Sequence, residues 1–464
     1  MSLNDHPKAY GTAALTLAFF AGVLVTLGFK DLYPELEARY QRSRRHKSSS
    51  SSFLTGPVYL EDRENSPEKT PNVDPTSLAL FTRAHGIVDG IEGTIGNTPL
   101  IRIRSLSEAT GCTILAKAEF LNGAGNSPKD RVALSMILAA EEQGLLVPGR
   151  GDTIYEGTVG STGISLAALA RARGYKAHIC MPDDVAREKS DLLRHLGAEV
   201  ERVPVAPITD PQHYVNLARA RAKAHSADPN TPSQGIFCDQ FESLANYTAH
   251  LKTTGPEIWT QTGGGKLDAF VAGAGTGGTL SGVAKYLKEE RGMADKLRVV
   301  LADPQGSGLY HKVRHGVMWS PTEREGTRRR TQVDSLVEGI GVNRVTTNFE
   351  VGRPFVDDAV RVTDEQACRM GRWLVEKDGI FVGSSSAVNC VAAVVTALGL
   401  PPGSVVVTIL CDPGSRHLSK FWKHIAEMGL ENGESGEKKE TGRDQDLLEV
   451  LGITHLRRKE KQAE

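Results

Sequence analysis

The chain has 464 residues, of which 39% are hydrophobic and 24% charged, so a globular protein of about two domains is expected. The net charge of −1 excludes the strongly basic character of a general nucleic-acid-binding protein, and no nucleic-acid partner is predicted. None of the six cysteines forms a C-x-x-C pair, so neither a zinc site nor a thiol redox motif is indicated and no metal is expected.

The first element is an uncharged stretch at residues 11–29, which follows a short tail of residues 1–10. A helix of this length spans the hydrocarbon core of a bilayer. Basic residues from Lys30 onward predict a signal anchor that leaves the large domain in the cytosol. A buried core helix and a cleaved signal peptide are the alternatives. The mitochondrial outer membrane is the expected location, with the endoplasmic reticulum membrane as the alternative.

A linker follows at residues 30–85, where basic residues, serines and prolines leave too little apolar surface for a core. The folded body is predicted at 86–427. Residues 428–464 are rich in charge and are expected to form a disordered tail, with one short helix near 446–451.

Inside the body, short apolar runs alternate with helical stretches such as 183–199, where leucines recur on one stripe and Gly197 marks the end. This alternation predicts parallel sheets with helices on both faces and a ligand site at the carboxyl ends of the strands. The predicted strands are 152–157, 176–181, 267–273, 297–303 and 404–412. Two α/β domains are therefore expected, a smaller one at about 122–235 and a larger one formed by 86–121 and 236–427.

Lys129 lies in NSPKDRVALS, directly after Pro128 and before an apolar run, a setting that a surface lysine does not need. Lysine is the side chain that holds an aldehyde as a Schiff base. Burial, together with a cationic neighbour such as Arg131, would favour the neutral and nucleophilic form of this lysine.

The loop at 158–162 leads from a predicted strand into a helix and offers the hydroxyls of Thr158, Ser161 and Thr162. The positive end of the helix suits a carboxylate. The alternative is an ordinary helix start in which Ser161 or Thr162 is the capping residue.

A second strand-to-helix loop consists of Gly275, Thr276, Gly277, Gly278 and Thr279. Its glycines allow backbone N–H groups to converge on one phosphate, although the loop matches neither Walker A nor the G-x-G-x-x-G fingerprint. A tight turn without a ligand is the alternative. Two anion-binding loops and one lysine suggest a phosphate-bearing aldehyde cofactor, pyridoxal phosphate, and a carboxylate substrate.

Ten ordered sequence blocks between about residues 90 and 425 resemble the cysteine synthase and cystathionine β-synthase family. Among them are GNTPLIRI (96–103), SPKDR (127–131), EGTVGSTG (156–163), GTGGT (275–279) and DPGSRHLS (412–419). With its N-terminal segment, the chain looks most like the membrane-anchored mitochondrial branch. The resemblance implies the type II pyridoxal-phosphate fold, with the cofactor between two parallel-sheet α/β domains, and a homodimer.

The resemblance also assigns the site. It makes Lys129 the Schiff-base lysine and the 275–279 loop the phosphate site, and it places Ser161 and Pro413 at the cofactor ring. The substrate carboxylate would be bound by Thr158, Val159, Gly160, Ser161, Thr162 and Gln240. The implied reaction is β-replacement, in which O-acetyl-L-serine and sulfide give L-cysteine and acetate and Lys129 removes the α-proton.

Three positions depart from the family pattern. Ser161 replaces an asparagine that bonds the ring oxygen, and Val159 replaces a serine beside the substrate carboxylate. Pro413 stands where a serine commonly bonds the pyridine nitrogen. If the adjacent Asp412 turned inward, its carboxylate would favour a protonated ring nitrogen.

The alternatives within the same machinery are L-cysteine desulfhydrase and cystathionine β-synthase. Against the latter, only about 40 residues follow the body, and no cysteine precedes Cys112 to bind a haem. A serine or threonine dehydratase is disfavoured because Pro128 precedes the lysine. A membrane-tethered protein that binds the cofactor or a partner with little turnover is the non-enzymatic alternative.

Overall fold

The computed structural model describes residues 87–185, 187–318, 335–430 and 446–456, which all belong to one compact unit, Asn72–Glu464. The predicted anchor at 11–29, its flanking tail and the linker lie outside the described residues. Within the described ranges, no helix is both long and apolar enough to cross a bilayer.

The described residues form two sheets. The strands are β1 (Leu100–Arg102), β2 (Thr113–Ala118), β3 (Thr153–Gly157), β4 (Lys176–Pro182), β5 (Glu199–Val203), β6 (Gly235–Phe237), β7 (Ala269–Gly273), β8 (Arg298–Pro304), β9 (Asp358–Val362) and β10 (Val405–Leu410). The larger sheet has the order β1-β2-β10-β7-β8-β9, and only the β1–β2 pair is antiparallel. The smaller sheet, β5-β4-β3-β6, is entirely parallel.

Helices connect the strands. They are α1 (Arg104–Thr110), α2 (Lys129–Glu142), α3 (Ser161–Ala172), α4 (Arg187–His195), α5 (Tyr214–Ala227), α6 (Leu244–Ala249), α7 (Gly255–Gln261), α8 (Gly278–Lys285), α9 (Leu309–His315), α10 (Thr347–Gly352), α11 (Asp364–Asp378), α12 (Ser384–Leu398), α13 (Lys423–Glu427) and α14 (Leu447–Val450). Short π-helical segments continue α6 at His250–Thr254 and α8 at Tyr286–Glu290 and precede α13 at Leu418–Trp422. The expected α/β architecture with parallel sheets is confirmed.

The strand β7 illustrates why the larger sheet is covered on both faces. Ala269 and Val271 pack into one apolar cluster, whereas Phe270 and Ala272 pack into another. Because successive side chains of a strand point to opposite faces, a strand buried on both sides needs a continuous apolar run. The run AFVAG meets that requirement, so its carboxyl end is held rigidly where the glycine loop begins.

The five predicted strands are found within two residues of their expected bounds, as β3, β4, β7, β8 and β10. The helix predicted at 183–199 is the shorter α4, with Leu193 buried, and the chain turns at Gly197 with φ +84°. The boundaries given for two separate α/β domains stay a prediction, although β6 belongs to the smaller sheet and ends at Phe237, beyond the expected boundary.

The C-terminal segment departs from the expectation of a disordered tail. Asp446 caps α14 by accepting a hydrogen bond from the Leu448 N–H, so the short predicted helix is present. The segment packs on the core of the larger sheet, where Leu447, Leu448, Leu451 and Ile453 are buried. The predicted disorder is therefore wrong for residues 446–456. The composition of the whole tail is dominated by charged residues, so an average over it does not reveal these few apolar side chains.

Candidate active site

A cavity of about 350 Å³ opens at the carboxyl ends of β3, β7 and β10, the position expected for a ligand in a parallel α/β protein. Its wall includes Lys129, both predicted anion-binding loops and Gln240. The tertiary structure therefore brings together every predicted site residue except Pro413, which does not line the cavity.

Lys129 is the first residue of α2, and Pro128 immediately precedes it, where the fixed φ of proline favours the start of a helix. The side chain is half-buried and reaches the cavity wall. Burial lowers the pKa of the Lys129 ammonium, while Cys411 and Asp412 oppose this shift. The site therefore favours the neutral amine more than water does.

Arg131 does not act on Lys129 as the sequence suggested. Its guanidinium points into a buried ion-pair network, with Nε 2.7 Å from Glu119 Oε2 and Nη1 2.5 Å from Glu257 Oε1. Glu257 also pairs with the buried Lys117. These carboxylates neutralise the arginine, so it anchors α2 beneath the site, and burial alone accounts for the lowered pKa of Lys129.

The loop 158–162 does not end in an ordinary capped helix. Gly160 is the N-cap of α3 and provides no side chain. The Ser161 hydroxyl instead donates to Asp412 Oδ2 at 3.1 Å, and the Thr162 hydroxyl donates to Gln240 Oε1 at 2.6 Å. Val159 packs against an apolar cluster and offers no donor. The first-turn N–H groups of α3 therefore remain the principal donors that this loop presents to an anion.

The loop 275–279 is built from bare backbone. Gly277 has φ +88°, and a Cβ placed there would lie 2.6 Å from Phe349 Cα. A Cβ on Gly278 would collide with Asn246 Oδ1. Only glycine fits both positions, which lets the loop pack closely against Phe349 and Asn246 while the start of α8 lines the cavity, where its first N–H groups can face an anion.

The two threonine hydroxyls of this loop contact polar side chains that do not line the cavity. Asn246 Nδ2 donates to Thr276 Oγ1 at 2.9 Å, and His250 Nε2 lies 3.1 Å from Thr279 Oγ1. Burial lowers the pKa of His250 to about 3, so the imidazole is neutral at physiological pH. If its Nε2 carries the proton, His250 donates to Thr279 and leaves the threonine hydrogen for an anion.

At the carboxyl end of β10, Asp412 lines the cavity while Pro413 pairs with Val382 in a β-bridge. The assignment of Pro413 to the cofactor ring therefore has no support in the cavity lining, because Pro413 pairs with Val382 while Cys411 and Asp412 line the cavity. Cys411 also lines the cavity beside Lys129, and burial raises the pKa of its thiol to about 12. The thiol is thus protonated, and Cys411 itself is partly exposed and directly follows β10.

The cavity wall also has charged residues that the sequence analysis missed, among them Lys189, Glu338 and His417. His417 Nε2 lies 3.1 Å from Asp412 Oδ2, and its Nδ1 lies 3.4 Å from Glu338 Oε2. Lys189 pairs with the same Glu338 oxygen at 2.6 Å. A position shortly after a central strand could have indicated His417, but no local pattern distinguishes Lys189 from a solvated helix residue.

The arrangement combines two strand-to-helix loops, whose helix starts suit anions, with a lysine of lowered pKa. The family model described as "Pyridoxal-phosphate dependent enzyme" matches residues 91–412. The solved structure of an O-ureido-L-serine synthase is similar with a TM-score of 0.63 and 32% identity, covering 75% of this chain and 98% of that one. The predicted type II pyridoxal-phosphate fold is thereby confirmed.

Relatives of similar length match most of this chain. "Cysteine synthase 2" of Neurospora crassa is 66% identical over 475 residues, which cover 99% of this chain and 100% of the relative. A Saccharomyces cerevisiae protein named "Putative mitochondrial cysteine synthase" is 53% identical over 365 residues, covering 79% and 88% of the two chains. This chain therefore belongs to the family of pyridoxal-phosphate-dependent enzymes.

Proposed function

We propose that the protein is a cysteine synthase, which converts O-acetyl-L-serine and sulfide into L-cysteine and acetate. The observation that carries the proposal is the convergence of Lys129, the bare 275–279 backbone and the α3 N-terminus on one cavity. The high identity to proteins named cysteine synthase over nearly their whole length supports this choice of reaction.

The cavity wall fits pyridoxal phosphate. The glycine loop lines the cavity where α8 begins, so the first N–H groups of that helix are the donors for a phosphate. Lys129 is the lysine for the aldehyde, and the buried Asp412 Oδ1 has no hydrogen-bond partner in the described structure. Since Asp412 lines the cavity and Pro413 does not, we assign the ring-nitrogen face to Asp412. The bound cofactor supplies an electron sink for negative charge that develops at the substrate Cα.

In the proposed reaction, the first turn of α3 binds the substrate carboxylate, and Thr162 fixes Gln240 beside it. The Lys129 amine, kept partly neutral by burial, takes the α-proton and returns it at the end of the cycle. The Cβ–O bond of O-acetyl-L-serine breaks with loss of acetate, and a Cβ–S bond forms with sulfide. Ser161 and Val159 shape the wall around this carbon, so we expect them to affect substrate choice.

The test is to incubate the purified protein with O-acetyl-L-serine and sulfide and to quantify cysteine and acetate. Parallel reactions contain serine with homocysteine, or cysteine alone with sulfide detection. Equal amounts of cysteine and acetate are expected from the first reaction. Formation of cystathionine, or release of sulfide from cysteine, without cysteine synthesis would instead establish one of the two alternative activities. A protein that binds the cofactor but turns over none of these substrates would contradict the proposal.

We also propose a mitochondrial homodimer anchored in the outer membrane through residues 11–29. The length and flanking charge of that stretch and the name of the yeast relative support this location. Fractionation of cells that express the full chain, followed by carbonate extraction, tests the anchor against a chain that begins at residue 30. Release of both forms by carbonate would contradict membrane insertion. The oligomeric state is tested separately, by light scattering of the solubilised protein.

A further inference from the structure

A line of charged and polar side chains connects the floor of the cavity to helix α4. Ser161 donates to Asp412, His417 lies between Asp412 and Glu338, and Glu338 pairs with Lys189. Ser161 and Lys189 come from helices that follow strands of the smaller sheet. The three central residues come from the larger-sheet side, so the line joins the two walls of the cavity.

The histidine of this line is almost inaccessible to solvent, with a side-chain exposure of 4%. Burial alone would lower its pKa, yet the carboxylates of Asp412 and Glu338 raise it to about 9. Arg416 and Lys129 act on Asp412 from other sides, and Lys189 acts on Glu338. The imidazole is therefore an imidazolium that compensates two carboxylates at neutral pH.

Asp412 presents its two oxygens differently. Oδ2 accepts from Ser161 and faces His417, whereas Oδ1 is buried without a hydrogen-bond partner in the described structure. Oδ1 rests against the Gly383 backbone, and the exposed 11% of the Asp412 side chain is what the carboxylate presents to a donor in the cavity. On the described cavity wall, Asp412 is the buried carboxylate, because Glu188 is exposed and Glu338 is already paired.

The carboxylate also has little freedom to move. A Cβ on Gly383 would lie 2.5 Å from Asp412 Oδ1, so the group rests directly against backbone. The Gly383 N–H donates to the Asp412 carbonyl at 2.9 Å and fixes the chain at this point. The direction of Oδ1 is consequently set by the backbone on one side and by His417 on the other.

We propose that His417 is a positioning residue, an imidazolium held between Asp412 and Glu338 that keeps Asp412 ionised as the acceptor for a protonated ring nitrogen of bound pyridoxal phosphate. Lys189 completes the charge balance by pairing with Glu338. The inference rests on the proposed function only for the identity of the cofactor. It gives this site a carboxylate at the ring nitrogen, where its family commonly has a serine.

The test is ¹⁵N NMR of the holoenzyme reconstituted with pyridoxal phosphate that is ¹⁵N-labelled in the ring, because the ring-nitrogen shift distinguishes pyridinium from neutral pyridine. The unaltered enzyme is expected to give the pyridinium signal near neutral pH. Asp412→Asn removes the anionic acceptor and should move the signal to the neutral position. His417→Gln should move it in the same direction, since Asp412 loses the cation that keeps it ionised.

His424→Gln is the matched control, because His424 is an exposed histidine on α13 whose imidazole contacts Glu427. It should leave the signal unchanged. If His417→Gln does not fold, the ring-nitrogen signal of Glu338→Gln is measured in its place. A smaller shift toward neutral pyridine is expected for that variant. A neutral ring nitrogen in the unaltered enzyme, or an unchanged pyridinium signal in both network variants, would overturn the inference. These outcomes do not depend on turnover, so they are distinguishable from a failure to make cysteine.

Discussion

The two anion-binding loops of the cavity share a design but differ in what supports them. The loop 275–279 depends on the absence of side chains, and neutral groups hold its threonines from behind. The loop 158–162 depends on hydroxyls that reach across the cavity to Asp412 and Gln240. The first loop is thus nearly complete in itself, whereas the second acquires its properties from residues distant in sequence.

Each loop has a buried histidine behind it, and the two histidines carry opposite charge states. Burial lowers the pKa of His250 to about 3 and outweighs the opposing effect of the Glu119 and Glu257 carboxylates. Two carboxylates raise the pKa of His417 to about 9 despite burial. The same side chain, buried in both places, is therefore a neutral partner of Thr279 in one loop and a cation that compensates two carboxylates near the other.

The largest expected effect comes from removing the residue that both loops serve. Lys129→Ala should leave the fold intact but reduce kcat/KM by at least roughly 10²–10⁴-fold, the range attributed to positioned proton transfer. Steady-state cysteine formation measures the loss. The exposed Lys266→Ala serves as the control. Activity of Lys129→Ala within tenfold of the unaltered enzyme would contradict the assignment of this lysine.

Adding one methyl group to each loop tests most directly whether the two loops differ. Gly278→Ala should abolish cofactor binding, because the Cβ collides with Asn246 Oδ1 and displaces the loop. Gly160→Ala should bind normally, since a Cβ there meets nothing within 4 Å and φ is −167°. Fluorescence titration of the cofactor measures both affinities. Similar affinities for the two variants would show that the bare backbone is not what binds the phosphate.

The two histidines should affect opposite ends of a plot of the free energy of unfolding against pH, which are called here the alkaline limb and the acidic limb. The raised pKa of His417 contributes stability that is present below pH 6.5 and is lost as pH rises through 9, on the order of 3 kcal/mol for that displacement. The lowered pKa of His250 contributes stability that is present above pH 6.5 and is lost as pH falls toward 3. Urea unfolding at a series of pH values measures both limbs.

His417→Gln should flatten the alkaline limb and leave the acidic limb, whereas His250→Gln should do the reverse. Other groups titrate at both extremes, so the informative quantity is the difference between each variant and the unaltered protein. An alkaline limb that is identical in the His417 variant would mean that the histidine is not an imidazolium in the folded protein.

The smallest expected effect concerns the hydroxyl that links the substrate loop to Gln240. Thr162→Val keeps the shape of the side chain but leaves the buried Gln240 oxygen without its donor, at a cost of about 1–3 kcal/mol. The KM for O-acetyl-L-serine should rise about tenfold, while cofactor affinity stays constant. Thr162→Ser retains the donor and should restore most of the KM. If Thr162→Val instead raised the dissociation constant of the cofactor, Thr162 would serve the cofactor and not the substrate.

Much of the fold followed from local pattern. Central strands of parallel sheets are buried on both faces, so the runs at β3, β4, β7, β8 and β10 are largely apolar and easily recognised. The apolar residues of 446–456 were obscured because charged neighbours dominate the composition of the tail. Packing against α1 and its surroundings, rather than local propensity, holds them in the core.

Local sequence was enough to predict the chemistry that needs one residue type at one place. Lys129, the glycines of 275–279 and the strand-to-helix loops are in this class, because an amine, a bare backbone and a helix start are local properties. Only the tertiary structure decided which charges meet. Arg131 turned into a buried network away from Lys129, Asp412 rather than Pro413 faced the cavity, and Lys189 reached Glu338 across 149 positions of sequence. The energy of a charge depends on its neighbours and its burial, and neither is encoded within a short stretch of chain.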